Sequence, residues 1–314
     1  MFDYKKVAKF AVAGLMALTI TGCGSSSASS KSVMDSIKDS KTLSIGISQD
    51  VLGFATENTS THKFEGLEVD ISELLASDLS DKLGVDVKTK YTKVNGKTRT
   101  TMLDEGSIDA VICAFTITEE RAQSWNFSSA YFNDAVSVLV KDGVFKEGVA
   151  SFEDVAKERG STIKIGVGLG TTSGDALQDY IEEKFGVAKA DQSKFVEIKQ
   201  FNSGDEAVIA LNTGAVDGYC CDYSVVHNYM VKNDGLVILS DTNNDSFSPQ
   251  PLGIATRYKT NEDLEWTKYI QDEIRKFWNE GKISEILEKN GFKAQETPTD
   301  LDEEYGPYHH AKAS

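Results

Sequence analysis

The sequence is poor in the residues from which metal and redox sites are built. Its 314 residues include four cysteines and four histidines, and no two cysteines have the C-x-x-C spacing of a zinc or thiol redox site. We therefore expect no metal and no cofactor. Cys220 and Cys221 are adjacent, which makes a bond between them difficult, and Cys113 would lack a partner. We expect all three to be buried, unpaired thiols.

Positive charge is also scarce. The chain has 33 lysines and arginines against 49 aspartates and glutamates, a net charge of −16. Without residues 1–22 the balance is 30 against 48, or −18. So acidic a surface repels phosphate backbones and favours a soluble monomer. We expect no nucleic-acid partner.

Motifs of catalysis are missing as well. Ser173 does not stand in a Gly-x-Ser-x-Gly nucleophile elbow. His309 and His310 stand in the C-terminal tail, which leaves two isolated histidines. The glycine-rich residues 166–170 lack the third glycine of a dinucleotide fingerprint, and no Gly-Lys-Ser/Thr phosphate loop is present. We therefore expect a binding protein rather than an enzyme.

The long apolar run of the chain is confined to its start. Three lysines precede residues 10–20, an apolar stretch too short to span a bilayer as a mature helix. Residues 20–23, Ile-Thr-Gly-Cys, are similar to a lipobox, in which the cysteine is lipidated and becomes the new N-terminus. We expect residues 1–22 to be a lipoprotein signal peptide and Cys23 to be the lipid anchor. The alternative is an ordinary signal peptide with an incidental cysteine.

A tether follows the lipidation signal. Residues 24–30 are all glycine, serine or alanine, a flexible composition, and residues 33–41 predict an amphipathic entry helix. Residues 23–41 would thus connect a lipid in the bilayer to the folded protein. We expect an extracytoplasmic protein that is anchored to the cell membrane.

Hydrophobic periodicity beyond the tether predicts two lobes of alternating strands and helices. In the first lobe the order is strand 42–47, an irregular segment 48–66, a helix from 66 to about 79, strand 85–91, helix 98–105 and a strand from 109. In the second it is strand 162–167, helix 175–185, strand 195–198, helix 205–212, strand 216–219 and helix 223–231. Helices 261–280 and 282–290 close the pattern. This order predicts mainly parallel sheets with right-handed crossovers.

Two apolar runs cross between the lobes. Residues 135–140 lead into the second lobe, and residues 252–256 read as the return strand. We place lobe 1 at residues 42–136 and 250–295, lobe 2 at residues 137–249, and an acidic, disordered tail at residues 296–314. The two crossings would form a hinge, with the ligand in the cleft between the lobes.

The most informative stretch is residues 109–121, Asp-Ala-Val-Ile-Cys-Ala-Phe-Thr-Ile-Thr-Glu-Glu-Arg. Its apolar half predicts a strand buried on both faces. Thr118 is a good N-cap, and the glutamates after it suit the first turn of a helix, where Arg121 also falls. Free N–H groups and a guanidinium at the carboxyl edge of a sheet form a site for a carboxylate. The alternative is a surface arginine in an ordinary helix.

The second lobe offers two complementary features. Gly170, Thr171 and Thr172 predict a nest of N–H groups at a helix N-terminus, suited to a small carboxylate; a turn required only for packing is the alternative. Asp222 ends a predicted strand at the matching edge, or else caps the helix after it. Asp222 opposite Arg121 would hold a zwitterion, which favours an α-amino acid over a sugar.

Several short motifs follow one another along the chain in a characteristic order. They are Val94-Asn95-x-Lys97-Thr98-Arg99, Leu103-Asp104-x-Gly106-Ser107-x-Asp109-Ala110-Val111-Ile112, Thr116-Ile117-Thr118-x-Glu120-Arg121, Trp125-Asn126-Phe127-Ser128 with Tyr131, and Asp245-Ser246-Phe247-x-Pro249-Gln250. Together they resemble the family 3 solute-binding proteins, the polar amino-acid receptors of ATP-driven importers. The resemblance runs from about residue 36 to residue 292 and is closest to aspartate- and glutamate-binding members.

The resemblance implies a two-lobed α/β periplasmic-binding-protein fold of type II that delivers a free L-amino acid to the membrane subunits of an ABC permease. It implies that Arg121 binds the α-carboxylate and that Thr118 also belongs to the ligand-binding site. Asp222 would receive the α-ammonium, aided by the Ala114 carbonyl and the Thr116 hydroxyl.

The same resemblance makes Arg99 the receptor of a side-chain carboxylate, hence glutamate or aspartate. Two positions depart from the family. Ser48 stands where relatives place a charged side chain that touches the ligand, and Val51 stands where others have a stacking aromatic. A neutral Ser48 makes glutamine or asparagine the rival ligand.

Two other classes of function remain as alternatives. A dehydratase is built on this same fold, but prephenate-like substrates lack the amino-acid zwitterion that Asp222 would serve. A surface adhesin or sensory module is the third class, and the lack of a fused domain or second membrane segment disfavours it.

Overall fold

The structure, a computed structural model, describes residues 31–146, 148–239, 246–299 and 301. The expected signal peptide, the expected lipid anchor Cys23 and most of the expected tail lie outside the described residues. The helices are α1 (Val33–Ser40), α2 (Leu67–Leu83), α3 (Arg99–Asp104), α4 (Glu119–Ala122), α5 (Phe152–Arg159), α6 (Ser173–Phe185), α7 (Lys189–Gln192), α8 (Gly204–Thr213), α9 (Tyr223–Lys232), α10 (Asn261–Asn279) and α11 (Lys282–Lys289). The strands are β1 (Thr42–Ile47), β2 (Asp50–Val51), β3 (Ala55–Asn58), β4 (Lys63–Glu65), β5 (Lys88–Lys93), β6 (Ala110–Val111), β7 (Asn126–Phe127), β8 (Phe132–Lys141), β9 (Ile163–Gly168), β10 (Val196–Phe201), β11 (Gly218–Asp222), β12 (Leu236–Leu239), β13 (Phe247–Leu252) and β14 (Ala255–Thr256).

The first sheet has the strand order β5-β1-β6-β14-β7. Strand β1 runs parallel to β5 and β6, and β14 runs against both of its neighbours. The alternation of β1 buries Leu43, Ile45 and Ile47. Helix α2 packs on β1 and β5, and α10, which begins at a capping box of Thr260 and Asp263, packs on β7 and β14. We call this sheet and its helices lobe 1.

The second sheet has the order β10-β9-β11-β8-β12, with β13 also paired to β8. Strands β9, β10 and β11 are parallel, whereas β8 runs against β11, β12 and β13. A core of Val138, Ile163 and Ile165 packs with Phe152 of α5 and Leu177 of α6. We call this sheet and its helices lobe 2.

Strands β8 and β13 connect the lobes. They pair from Phe132 with Leu252 to Val136 with Phe247. At one end the Phe132 ring packs edge-on against Phe54 of lobe 1, with centroids 5.1 Å apart. At the other end Phe247 stacks on Tyr180 of lobe 2, with centroids 4.3 Å apart. The predicted two-lobed α/β class with a two-strand hinge is confirmed. Both sheets are mixed rather than mainly parallel, because β14 runs against its neighbours in the first sheet and β8 runs against three strands in the second.

The strand predicted from residue 109 is much shorter than expected. Strand β6 contains two residues, and its pairing with β1 ends where the Ile112 N–H donates to the Gly46 carbonyl at 3.0 Å. Ala114 then adopts a left-handed φ of 45°. Its N–H donates to the Glu68 carboxylate and not to a neighbouring strand. A side chain far away in sequence therefore ends this strand.

Other segments differ from the sequence pattern for local reasons. The segment expected to be irregular forms the antiparallel sheet β2-β3-β4, whose residues are largely exposed or half-buried and show no apolar alternation. The return strand is split into β13 and β14 by Gly253, where a Cβ would lie 2.7 Å from Ile117 Cδ1. The tail is not wholly disordered, because Leu301 is buried and its carbonyl accepts from Gln271 Nε2 at 3.0 Å. Within the described ranges, no helix is long and apolar enough to cross a membrane.

Candidate ligand-binding site

A cavity of about 100 Å³ lies between the lobes. Its lobe 1 wall is made by residues that follow β1, β5 and β6, and its lobe 2 wall by residues at the ends of β9, β10 and β11. These are carboxyl ends of parallel strands, where open α/β sheets bind their ligands. Drug-sized ligands occupy roughly 300–1,000 Å³, so this cavity suits only a small molecule.

Two guanidinium groups lie over one buried aromatic ring. Arg99 Cζ is 3.6 Å and Arg121 Cζ 4.8 Å from the centroid of Phe115. Both donate to the Gly170 carbonyl of lobe 2, Arg99 at 3.0 Å and Arg121 at 3.2 Å, and Arg121 also donates to the Thr116 carbonyl at 2.7 Å. Burial, and then the charge of Arg99, lowers the pKa of Arg121 to about 10, so it stays charged at neutral pH. Two adjacent guanidiniums favour an anion.

Asp222 is the acidic counterpart on lobe 2. It is buried at the end of β11, and although it precedes α9 its side chain makes no capping hydrogen bond. Burial, and then the charge of Asp134, raises the pKa of Asp222 well above its usual value, against the opposing effect of Arg121 and Arg99. A cation beside this carboxyl would favour its ionised form. The two lobes thus bring two arginines and a carboxyl group to one cleft.

A further carboxyl, Glu68, lies behind the cavity wall. It stands in the first turn of α2 and is fully buried. Its Oε1 accepts from the Ala114 N–H at 2.5 Å and from the Tyr131 hydroxyl at 2.6 Å. Burial raises the pKa of Glu68 to about 7, although both hydrogen bonds and the charge of Arg99 oppose this. The sequence pattern gives no sign of this residue, because it reads as part of an ordinary helix face.

The residues predicted for the site divide between two adjoining cavities. The inner cavity is lined by Ser48, Arg99, Ala114, Thr171 and Asp222. An outer cavity of about 470 Å³ is lined by Thr116, Thr118, Arg121, Gly170, Thr171 and Thr172. All ten therefore surround one cleft, but Arg121 and Asp222 border different parts of it.

The turn before α6 packs against the loop after β5. A Cβ on Gly170, whose φ is 74°, would lie 2.6 Å from the Gly96 carbonyl oxygen, and a Cβ on Gly96 would lie 2.1 Å from the Leu169 carbonyl oxygen. The Thr172 hydroxyl donates to Gln250 Oε1 on β13 at 2.6 Å. The lobes are therefore in direct backbone contact above the inner cavity.

Several wall residues were not predicted. Asn202 and Ser203 follow β10 and line the inner cavity, and the carboxyl-edge rule that singles out Asp222 applies equally to them. Cys113 and Cys221, expected to be buried packing thiols, also line it; both are unpaired, but Cys221 is only half-buried. Cys113 Sγ lies 3.7 Å from Arg99 Nη1, which donates to it.

This fold and this charged cleft define a two-lobed solute-binding protein. The chain matches the model of the bacterial extracellular solute-binding proteins, family 3, over residues 43–293. It belongs to this family, as its motifs predicted. The family is described as one of extracellular solute-binding proteins.

Similar proteins span almost the whole chain. The ABC transporter glutamine-binding protein GlnH of Bacillus subtilis (strain 168) is 30% identical over 293 residues, which are 91% of this chain and 97% of that protein. The L-cystine-binding protein TcyJ of Escherichia coli (strain K12) is 28% identical over 281 residues, 89% of this chain and 94% of that one. A solved structure, an ancestral arginine-binding protein bound to glutamine, has a TM-score of 0.63 and 29% identity, and covers 81% of this chain and 99% of its own. The predicted type II fold is confirmed.

Proposed function

We propose that this protein captures a free polar amino acid between its lobes. The observation that carries the proposal is the opposition of charge, with Arg99 and Arg121 on lobe 1 and Asp222 on lobe 2. An α-amino acid carries a carboxylate and an ammonium at a short fixed separation, whereas a sugar offers neither charge to such a site. Relatives named for glutamine and cystine agree with an amino-acid ligand.

The α-carboxylate binds Arg121 in this proposal. In the structure Arg121 donates to two neutral carbonyls, those of Thr116 and Gly170. A carboxylate is a stronger acceptor than a carbonyl and would replace the Gly170 contact. The backbone N–H of Thr172, just before α6, adds a donor at a helix N-terminus, whereas the Thr171 N–H donates to the Gly168 carbonyl at 3.3 Å.

The α-ammonium binds Asp222, with the Ala114 carbonyl and the Thr116 hydroxyl as further acceptors. Asp222 and Ala114 line the same inner cavity. The ammonium would satisfy a carboxyl that has no capping bond of its own, which is the usual requirement for a buried charge.

The side chain of the ligand extends toward Arg99 and Ser48. Arg99 is buried and borders the inner cavity, which favours a carboxylate and hence glutamate or aspartate. Glutamine is the second candidate. Ser48 adds no positive charge to the inner cavity, and the buried carboxyl of Glu68 can offset the charge of Arg99, so an anionic ligand side chain is less strongly required. A relative named for glutamine is 30% identical.

Capture would occur by closure of the lobes about β8 and β13, with delivery to the membrane subunits of an ABC permease. Closure is supported by contacts that join the lobes, including Asn228 Nδ2 to the Leu52 carbonyl at 2.8 Å. We also propose that Cys23 is lipidated and holds the protein at the outer face of the cell membrane as a monomer. This part rests on the residues around Cys23 and on the acidic charge alone.

The test is calorimetric titration of the purified protein with glutamate, aspartate, glutamine, asparagine, cystine and arginine, and with glucose as a control. We expect saturable binding of glutamate, aspartate or their amides, and none of glucose. Saturable binding of glucose, or of no amino acid in the set, would refute the proposed function.

A further inference from the structure

The charges of the proposed complex balance only if one more group is counted. Arg121 matches the α-carboxylate and Asp222 matches the α-ammonium. Arg99 then lacks an opposite charge whenever the side chain of the ligand is neutral. A buried charge without a partner is unfavourable, so the closed cleft would demand an acidic side chain unless another carboxylate offset Arg99.

Glu68 is placed to be that carboxylate. It is fully buried, and Ala114, which lines the inner cavity, separates it from the ligand space. Its Oε2 has no hydrogen-bond partner among the described residues. Among the described residues, the hydrogen bonds to its carboxylate are the two that Oε1 accepts from Ala114 and Tyr131. The charge of Arg99 stabilises the ionised form of Glu68. The charge of Glu68 in turn opposes ionisation of Asp222.

We propose, on the basis of the amino-acid-binding function above, that Glu68 is a specificity-determining residue. Its ionised carboxylate balances Arg99 and favours amino acids with uncharged side chains. Its protonated form leaves Arg99 free to select an acidic side chain. Oε1 can accept from the Ala114 N–H in either form, so the change is one of charge and not of the cleft backbone.

This mechanism makes the ligand preference depend on pH. The groups that interact with Glu68 are Tyr131, Arg99, Cys113 and Asp222. Burial raises the pKa of Tyr131 and of Cys113, so neither ionises near neutrality. Glu68, with a pKa of about 7, changes charge between pH 6 and pH 8.

Other titrations in that range act on all amino acids alike. Asp134, whose pKa burial raises to about 6, interacts with Asp222, the residue proposed to bind the common α-ammonium. The side-chain carboxyl of free glutamate has a pKa of about 4.3, so it stays charged over this pH range. The ratio of the affinities for glutamate and glutamine therefore isolates the effect of Glu68.

The experiment measures that ratio by calorimetry at pH 6, 7 and 8 for the wild type, for Glu68→Gln and for a control, Asp70→Asn. Glutamine keeps the size of Glu68 and an acceptor for Ala114. Asp70 lies in the same first turn, but its carboxylate binds Lys289 at 2.7 Å and Asn290 at 2.8 Å, away from the cavity.

In the wild type and in Asp70→Asn, we expect the preference for glutamate over glutamine to rise about tenfold from pH 8 to pH 6. Glu68→Gln should show the high preference at every pH. Tyr131→Phe supplies a second readout. It removes a hydrogen bond that lowers the pKa of Glu68, so the pH midpoint of the change should move upward.

The outcomes separate the two proposals. A ratio that does not change with pH in the wild type, or that changes equally in Glu68→Gln, overturns the role of Glu68 while leaving amino-acid binding intact. Failure of the wild type to bind either ligand overturns this inference, whereas the proposed function is overturned only if none of the other amino acids in the calorimetric set binds either.

Discussion

At the scale of single residues, the two arginines of the cleft differ in their surroundings. Arg99 is buried and borders the inner cavity together with Asp222, whereas Arg121 is half-buried and borders the outer one. Both lie over Phe115 and both donate to Gly170, so neither is a solvated surface residue. Because the two arginines lie at different positions over the Phe115 ring, we expect them to bind different parts of the ligand.

Replacing Arg99 by Gln should weaken glutamate and aspartate far more than glutamine, because only the acidic side chains need its charge. Loss of one partner of a desolvated charge pair costs roughly 2–5 kcal/mol. Arg121→Gln is the comparison and should weaken all of these amino acids alike, because all share the α-carboxylate. Both variants are titrated at one salt concentration and pH. Equal losses for glutamate and glutamine in Arg99→Gln would make Arg99 a structural residue.

Asp222→Asn should weaken every amino acid to a similar extent, because all carry the α-ammonium. The raised pKa of Asp222 adds a second observable. Where the free protein holds a proton on this carboxyl, ammonium binding must release it, so affinity falls as the pH is lowered. Titrations in two buffers of different ionisation enthalpy measure the released proton. No buffer dependence in the wild type, or a loss in Asp222→Asn confined to one side-chain type, would argue against this role.

At the scale of elements, the loop after β5 and the turn before α6 meet backbone to backbone. Gly96 belongs to lobe 1 and Leu169 to lobe 2, so their contact exists only when the lobes are together. Gly96 has no room for a Cβ, because the atoms nearest to that position belong to Leu169 and Gly170 of lobe 2 and not to lobe 1. Closure can therefore be tested at a glycine that lines the inner cavity but offers no side-chain group to the ligand.

Gly96→Ala should weaken all amino-acid ligands, because its Cβ would lie 2.1 Å from the Leu169 carbonyl oxygen in the closed form. Gly174→Ala is the matched control. It lies in α6 of lobe 2, and its Cβ would approach no atom of a neighbouring element closer than 3.7 Å. Calorimetry gives the affinities, and thermal unfolding without ligand checks that both variants fold. Wild-type affinity in Gly96→Ala would show that this contact does not limit closure.

At the scale of the whole molecule, five buried or half-buried carboxyls have raised pKa values, namely Glu68, Asp109, Asp134, Asp222 and Glu273. Each holds its proton more tightly in the folded than in the unfolded chain. Under that condition the free energy of unfolding decreases as the pH rises. These carboxyls should therefore make the ligand-free protein most stable in mildly acidic solution.

For Glu68 the decrease in the free energy of unfolding occurs as the pH rises from its ordinary pKa of 4.5 to its folded pKa of about 7. It amounts to about 3 kcal/mol at about 1.4 kcal/mol per unit. Urea unfolding of the ligand-free protein from pH 5 to pH 8 measures this decrease, and Glu68→Gln should have a shallower one. Identical slopes in the two proteins would show that Glu68 is ionised with little cost.

Cys23→Ala should release the protein from the membrane while leaving its ligand affinity unchanged, because the anchor and the cleft are separate parts of the chain. Fractionation of cells that express each form, followed by calorimetry of the purified proteins, checks both points. Retention of the variant in the membrane fraction would contradict lipidation.

Periodicity and chain order by themselves determined most of the architecture. The strand predicted at residues 42–47 is β1, and the helices predicted at residues 175–185 and 223–231 are α6 and α9 within two residues at either end. Thr118 caps α4 as its chemistry predicts, accepting from the Arg121 N–H at 3.1 Å. Such features follow from local backbone preference and from which face of an element is apolar.

Only the tertiary structure decided which polar groups meet. Glu68 and Ala114 are 46 positions apart, and their hydrogen bond both ends β6 and places a carboxyl behind the cleft. No periodic signal distinguishes Glu68 from a solvated glutamate, because periodicity records burial of a face and not the loop that packs on it. The contact of Gly96 with Leu169 likewise depends on how two lobes approach. Sequence determined the elements and the charges, whereas packing between distant elements decided how those charges are balanced.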